Sequence, residues 1–219
     1  YMLDGIFNYD NKFFRAVNKL ADLVILSFCW LISCIPIFTI GAASSALYSA
    51  VHKSIRRGKG YVWSGYWSAF RSDFKQATKA WLIMLLIIIV VTSDILITTQ
   101  MLKAGMSMGN LSIVFIVMEC IIVAWYAYTF AYIARFEQTT KLTLKNSFVI
   151  LIANLPWTFL VIVILLAAVM IAYLIPFFII ILPAASVTTL EVIFEKIFRK
   201  FMTPEDLKKE QEEDKMDID

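Results

Sequence analysis

The chain has 219 residues, 60% apolar and 17% charged, with a mean hydropathy of +0.76 and a formal net charge of +3. Soluble domains run at about 45–50% apolar and about 25% charged, so this composition excludes an ordinary water-soluble globule and makes a bilayer the main solvent. Residues 23–51, 104–118, 120–134 and 146–190 contain no Asp, Glu, Lys or Arg, and a bilayer crossing needs about 20 mostly apolar residues.

The opening segment, 1–22, mixes Phe7, Phe13, Phe14, Val17 and Leu20 with Lys12, Arg15 and Lys19. It is too polar to span and suits a short interfacial helix, and it lacks the pattern of a signal peptide. A first span is predicted over 23–40, kinked at Pro36 and followed by the small residues of 41–46, which permit close helix packing. Between His52 and Lys79, Lys53, Arg56, Arg57, Lys59, Arg71, Lys75 and Lys79 stand against one acid, Asp73. Gly58-Lys59-Gly60 reads as a turn. The segment 61–79 has helical periodicity, with Trp63, Tyr66, Trp67, Phe70, Phe74 and Ala77 on one face and Ser64, Ser68, Arg71, Lys75 and Lys79 on the other. It is read as an amphipathic elbow at the membrane surface, its aromatics at headgroup level and its cations toward anionic lipid or a docked protein.

A second span is predicted over 80–102 and a third over 111–134, joined closely enough by the loop of Lys103, Gly105, Gly109 and Asn110 to form an antiparallel hairpin. Residues 135–145 make a basic connection. The stretch 146–190 would reach about 67 Å as one helix, more than twice a hydrocarbon core of roughly 30 Å, so it holds two spans, 148–173 and 176–194. Residues 201–219 form a charged tail, with a helix start at Thr203-Pro204. The expected architecture is therefore an all-α polytopic bundle over residues 1–200, with five transmembrane helices and one interfacial amphipathic helix. Basic residues cluster in 53–79, 135–145 and after 194, which places these segments and the carboxyl terminus in the cytoplasm of a bacterial plasma membrane and the amino terminus outside. Lys12, Arg15 and Lys19 oppose that orientation. If they prevailed, 23–51 would form a re-entrant hairpin bent at Pro36.

Asp94 and Glu119 are the sharpest candidate site. Each lies 8 residues from its end of the predicted hairpin, at Leu102 and Leu111, so both sit about 12 Å below the same edge. Acids at that depth have to be neutralised, paired or hydrated and are functional candidates for proton, cation or partner contact; the alternative is a shorter span, or Asp94 capping a broken helix. No cation of the chain lies at their depth. The surface candidates for interfacial or partner contact are Trp63, Trp67, Phe70, Arg71, Phe74 and Lys75. His52, the only histidine, is read as an interfacial residue. Cys29, Cys34 and Cys120 lie in apolar stretches as small hydrophobes, with no disulfide framework or metal spacing. No nucleophile with its base is visible, so an enzyme, a resident metal and a cofactor are not expected. Nucleic-acid binding is disfavoured because the aromatics segregate from the cations.

The run Leu31-Ile-Ser-Cys-Ile-Pro-Ile-Phe-Thr-Ile-Gly41 with Ala46-Leu-Tyr48, then Arg57-Gly-Lys-Gly-Tyr61, Phe70-Arg-Ser-Asp-Phe-Lys-Gln-Ala-Thr78, Ala134-Arg-Phe-Glu137 and Leu144-Lys-Asn146, resembles the YesL-like bacterial membrane proteins. The resemblance extends over nearly the whole chain and carries no catalytic residues. It implies an accessory role in carbohydrate uptake, as a non-catalytic subunit bound to the permease subunits of an oligosaccharide ABC importer, with a carbohydrate-binding protein in the same complex. A self-contained proton- or cation-coupled transporter or channel, built on Asp94 and Glu119, is the competing expectation. An ABC permease proper is disfavoured, since no cytoplasmic Glu-Ala-Ala loop followed by its Gly is found.

Overall fold

The structure, a computed structural model, describes residues 12–56 and 61–202, with side chains described from residue 17. The Gly58-Lys59-Gly60 turn, the first half of the opening segment and nearly all of the charged tail lie outside the described residues. Among those described, the chain is helical and contains no strand. The α-helices are α1 (Lys12–Ser33), α2 (Ile40–Ala50), α3 (Val62–Lys103), α4 (Ser112–Ile133), α5 (Thr140–Ala153), α6 (Leu155–Leu174) and α7 (Leu182–Phe198). Among the described residues, three stretches are long and apolar enough to cross a membrane: 62–103, 107–133 and 155–174. They carry the spans predicted over 80–102, 111–134 and most of 148–173.

The predicted first span, 23–40, is not one straight helix. α1 stops at Ser33, Pro36 stands extended at φ −78° and ψ 118°, and a short 3₁₀ turn, Ile37–Thr39, leads into α2. The Thr39 hydroxyl donates to the carbonyls of Ser33 and Pro36, satisfying acceptors that the interrupted helix exposes. The two helices then fold back on each other: Trp30 Nε1 donates to Ser44 Oγ at 3.2 Å, and Leu26 shares one core with Ala50 and Val51. Residues 23–51 are thus the helical hairpin bent at Pro36 that the amino-terminal cations favour. Trp81 Nε1 pins its tip to α3 by donating to the Ile37 carbonyl at 2.7 Å.

Close packing of α2 on α3 follows from the small residues of 41–46. A Cβ on Gly41 would lie 2.6 Å from Trp81 Cβ and 2.7 Å from the Ala77 carbonyl oxygen, so the backbones meet there only without a side chain.

The elbow expected between 61–79 and 80–102 is absent. One unbroken 42-residue helix covers both, about 63 Å at 1.5 Å per residue. Residues 66–102 contain neither Gly nor Pro, so nothing in the backbone chemistry interrupts the hydrogen-bond ladder. The helix ends at Gly105, whose φ of 77° supplies a left-handed turn; Gly105 N–H donates to Leu102 O and Met106 N–H to Met101 O, each at 3.0 Å, as in a Schellman cap. The chain returns as α4, and α3 and α4 form the predicted hairpin.

The predicted fourth span, 148–173, is divided at Asn154, where α5 gives way to α6 with Pro156 in the first turn. Thr158 Oγ1 donates to Leu151 O at 2.9 Å and Asn154 Nδ2 to Ile150 O at 2.9 Å, so side chains cover the carbonyls that the break frees. The predicted fifth span, 176–194, is a 3₁₀ turn, Pro176–Ile180, followed by the 17-residue α7. α7 packs beside α1, α2, α4 and α6 and carries Phe194 and Phe198 into the largest apolar core with Tyr128 and Tyr132.

Candidate functional site

Tyr48 and His52 are one helical turn apart, and Arg56 follows four residues later. The end of α2 widens into a π turn, Val51–Arg56, a form that recurs at functional sites. α7 presents Glu191 and Glu195, again four residues apart and both buried, and α4 ends just before Arg135. These three faces converge. His52 Nδ1 lies 2.8 Å from Glu191 Oε1 and 3.6 Å from Glu195 Oε1. Arg56 Nε is 2.6 Å from Glu191 Oε2, an ion contact without hydrogen-bond alignment. Arg135 Nε is 2.9 Å from Glu195 Oε1 and its Nη2 donates to Glu195 Oε2 at 3.2 Å, while Tyr48 OH donates to Glu195 Oε1 at 3.3 Å. His52 Nε2 is buried with no partner among the described residues.

His52 is therefore buried, not interfacial. His52 and the two glutamates place one donor atom each within 4.8 Å of one another, a set that suits a small divalent cation by donor type. Each carboxylate already faces a guanidinium, however, and two arginines against two glutamates balance the charge. The arrangement as it stands is an ion network joining the ends of α2 and α4 to α7 at the basic end of the bundle. The four-residue spacings were visible in the sequence; which faces meet was not.

Tyr48 and Phe194 also form the inner end of a half-open cavity of about 340 Å³ that runs between α1, α2, α4, α6 and α7. Its lining is apolar apart from Trp30, Ser44, Tyr126, Ser186 and the ring of Tyr48, and none of it is charged. Ser44 joins Trp30 Nε1 and the Tyr126 hydroxyl in one hydrogen-bonded chain. The sequence did not single out this space, because it is built from five separate segments.

Of the intramembrane acids, Glu119 accepts from Thr92 Oγ1 at 3.4 Å, and its Oε2 is buried with no hydrogen bond among the described residues. Asp94 is partly buried, and its carboxylate has neither hydrogen bond nor ion pair among the described residues. The Thr92–Glu119 contact fixes the hairpin register. Asp94 follows Thr92 by two residues, about 3 Å along the axis, so the two acids share a depth. α3 is unbroken around Asp94, which therefore caps no helix end.

Trp63, Trp67, Phe70 and Phe74 form a ladder of ring contacts along α3, with centroids 5.9, 5.5 and 5.5 Å apart in succession. Trp63 is exposed, whereas Trp67, Phe70 and Phe74 are half-covered: Trp67 and Phe70 pack against the α1–α2 core, and Phe74 against the neighbouring α2–α3–α4 core. Arg71 and Lys75 project outward. Asp73 accepts from Ser45 Oγ at 2.7 Å.

A family model described as "Protein of unknown function, DUF624" matches residues 23–95. No curated protein and no solved structure matches the chain.

Proposed function

We propose that this chain is a non-catalytic membrane subunit that docks through the α3–α4 hairpin onto a larger membrane protein. The observation that carries this reading is the state of Asp94 and Glu119: two acids at one depth in an apolar hairpin, Glu119 held by a single threonine hydroxyl and neither acid ion-paired among the described residues. Acids so placed are neutralised by protons or by a partner's polar groups. Arg135 and His52, the cationic groups that the fold does cover, face Glu191 and Glu195 at the basic end instead. The resemblance to YesL-like proteins supplies the partner: the permease subunits of an oligosaccharide ABC importer in a bacterial plasma membrane, with the chain aiding assembly, stability or regulation. The competing reading, a small proton- or cation-coupled transporter, draws on the same two acids.

The test is purification of the tagged full chain from its native membrane in mild detergent. Permease subunits and a carbohydrate-binding protein are expected to co-purify and to be recovered at least tenfold less with the D94N/E119Q double variant. Recovery of the chain alone, together with proton flux in reconstituted vesicles that the double variant abolishes, would favour the transporter.

A further inference from the structure

We propose that the cavity between α1, α2, α4, α6 and α7 is a binding site for the acyl chain of a bilayer lipid. The chemistry of its wall selects an apolar occupant. No lining residue is charged, and the polar side chains that reach it spend their hydrogen bonds on the protein: Trp30 on Ser44, Ser44 on Tyr126, Tyr48 on Glu195, and Ser186 on the Pro183 carbonyl. A sugar or ion entering would find only the leftover lone pairs of these hydroxyls and one hydroxyl hydrogen of the Ser44–Tyr126 pair, too few to replace the water it sheds.

The position of the mouth selects the source. Its rim includes Val123 on α4 and Val169 on α6, 39% and 67% exposed, on two helices that are long and apolar enough to span, and Ile179, 46% exposed. The cavity is thus continuous with the face these helices turn to the bilayer, and lipid chains are the apolar material in contact with it. The inner end is closed by buried Leu47, Ala131, Leu190 and Phe194. At about 30 Å³ per water-sized unit the volume accommodates roughly ten such units, the scale of a chain segment and not of a whole lipid. Leaving it empty would forfeit the dispersion contacts of its lining. Neither Asp94 nor Glu119 lines the cavity, and the site does not depend on the subunit reading.

The full chain is reconstituted in phosphatidylcholine–phosphatidylglycerol vesicles doped with a phosphatidylcholine that carries a photoactivatable diazirine at the end of one acyl chain, and the labelled residues are mapped by mass spectrometry. Adducts are expected on Leu47, Ala131 or Leu190 as well as on the outward-facing Leu96 and Val114. Ala168→Trp, which fills the cavity, and Val169→Trp, which obstructs the rim at an exposed position that tolerates bulk, should each lower the inner adducts at least fivefold and leave those on Leu96 unchanged. Labelling confined to Leu96 and Val114, or inner adducts that persist in the monodisperse Val169→Trp variant, would overturn the site. So would inner labelling that is absent while a second copy of the chain cross-links across the rim.

Discussion

Glu195 shows how one side chain can hold the basic end of the bundle together. Its carboxylate meets Arg135, His52 and Tyr48 at once, and the Arg135 side chain is only 12% exposed. Replacing one partner of a buried pair leaves the other charge uncompensated, at a cost of about 3–5 kcal/mol when the environment cannot relax. Glu195→Gln is therefore expected to destabilise the protein by about 3 kcal/mol in denaturant unfolding in detergent, whereas Arg71→Gln, at an exposed position on α3, should stay within about 0.5 kcal/mol. Equal effects of the two would remove the network from the account of stability. The sequence displayed Glu191 and Glu195, and Tyr48, His52 and Arg56, at four-residue spacing. That spacing defines a helix face without naming the face opposite, which is why His52 read as an interfacial residue when taken alone.

At the scale of elements, α3 is the clearest departure from expectation. The shift from amphipathic to predominantly apolar sequence near Lys79 suggested a bend, but a change in solvent does not break a helix; Gly, Pro or a competing hydrogen bond does. Spin labels at positions 64 and 103 should lie roughly 58 Å apart along the axis at 1.5 Å per residue, measured by pulsed electron–electron resonance in nanodiscs. A distance nearer 40 Å would restore the elbow. The break at Asn154 is the converse case. Pro156 was present to be read, but apolar length alone drew a single span through it, and the capping by Thr158 and Asn154 appears only once α5 and α6 are placed. By contrast, Gly105 and Gly109 announced the α3–α4 turn. Gly109 has no room for a Cβ, which would lie 2.3 Å from the Leu102 backbone.

For the molecule as a whole, the α1–α2 hairpin brings the amino-terminal end of α1 and the carboxyl-terminal end of α2 to the same end. Cysteines introduced at the exposed positions Asn18 and Lys53 are expected to respond alike to a membrane-impermeant maleimide in intact cells, either both labelled or both protected. Opposite responses would reinstate a straight first span. The sequence by itself determined the solvent, the all-α class, the α3–α4 hairpin and the shared depth of Asp94 and Glu119, because hydropathy and helical rise are local properties that add along the chain. Tertiary structure decided the return at Pro36, the ion network and the apolar cavity. Each depends on which helix faces meet, and small residues such as Gly41 set how closely they do so. Periodicity marks a face and is silent about its partner.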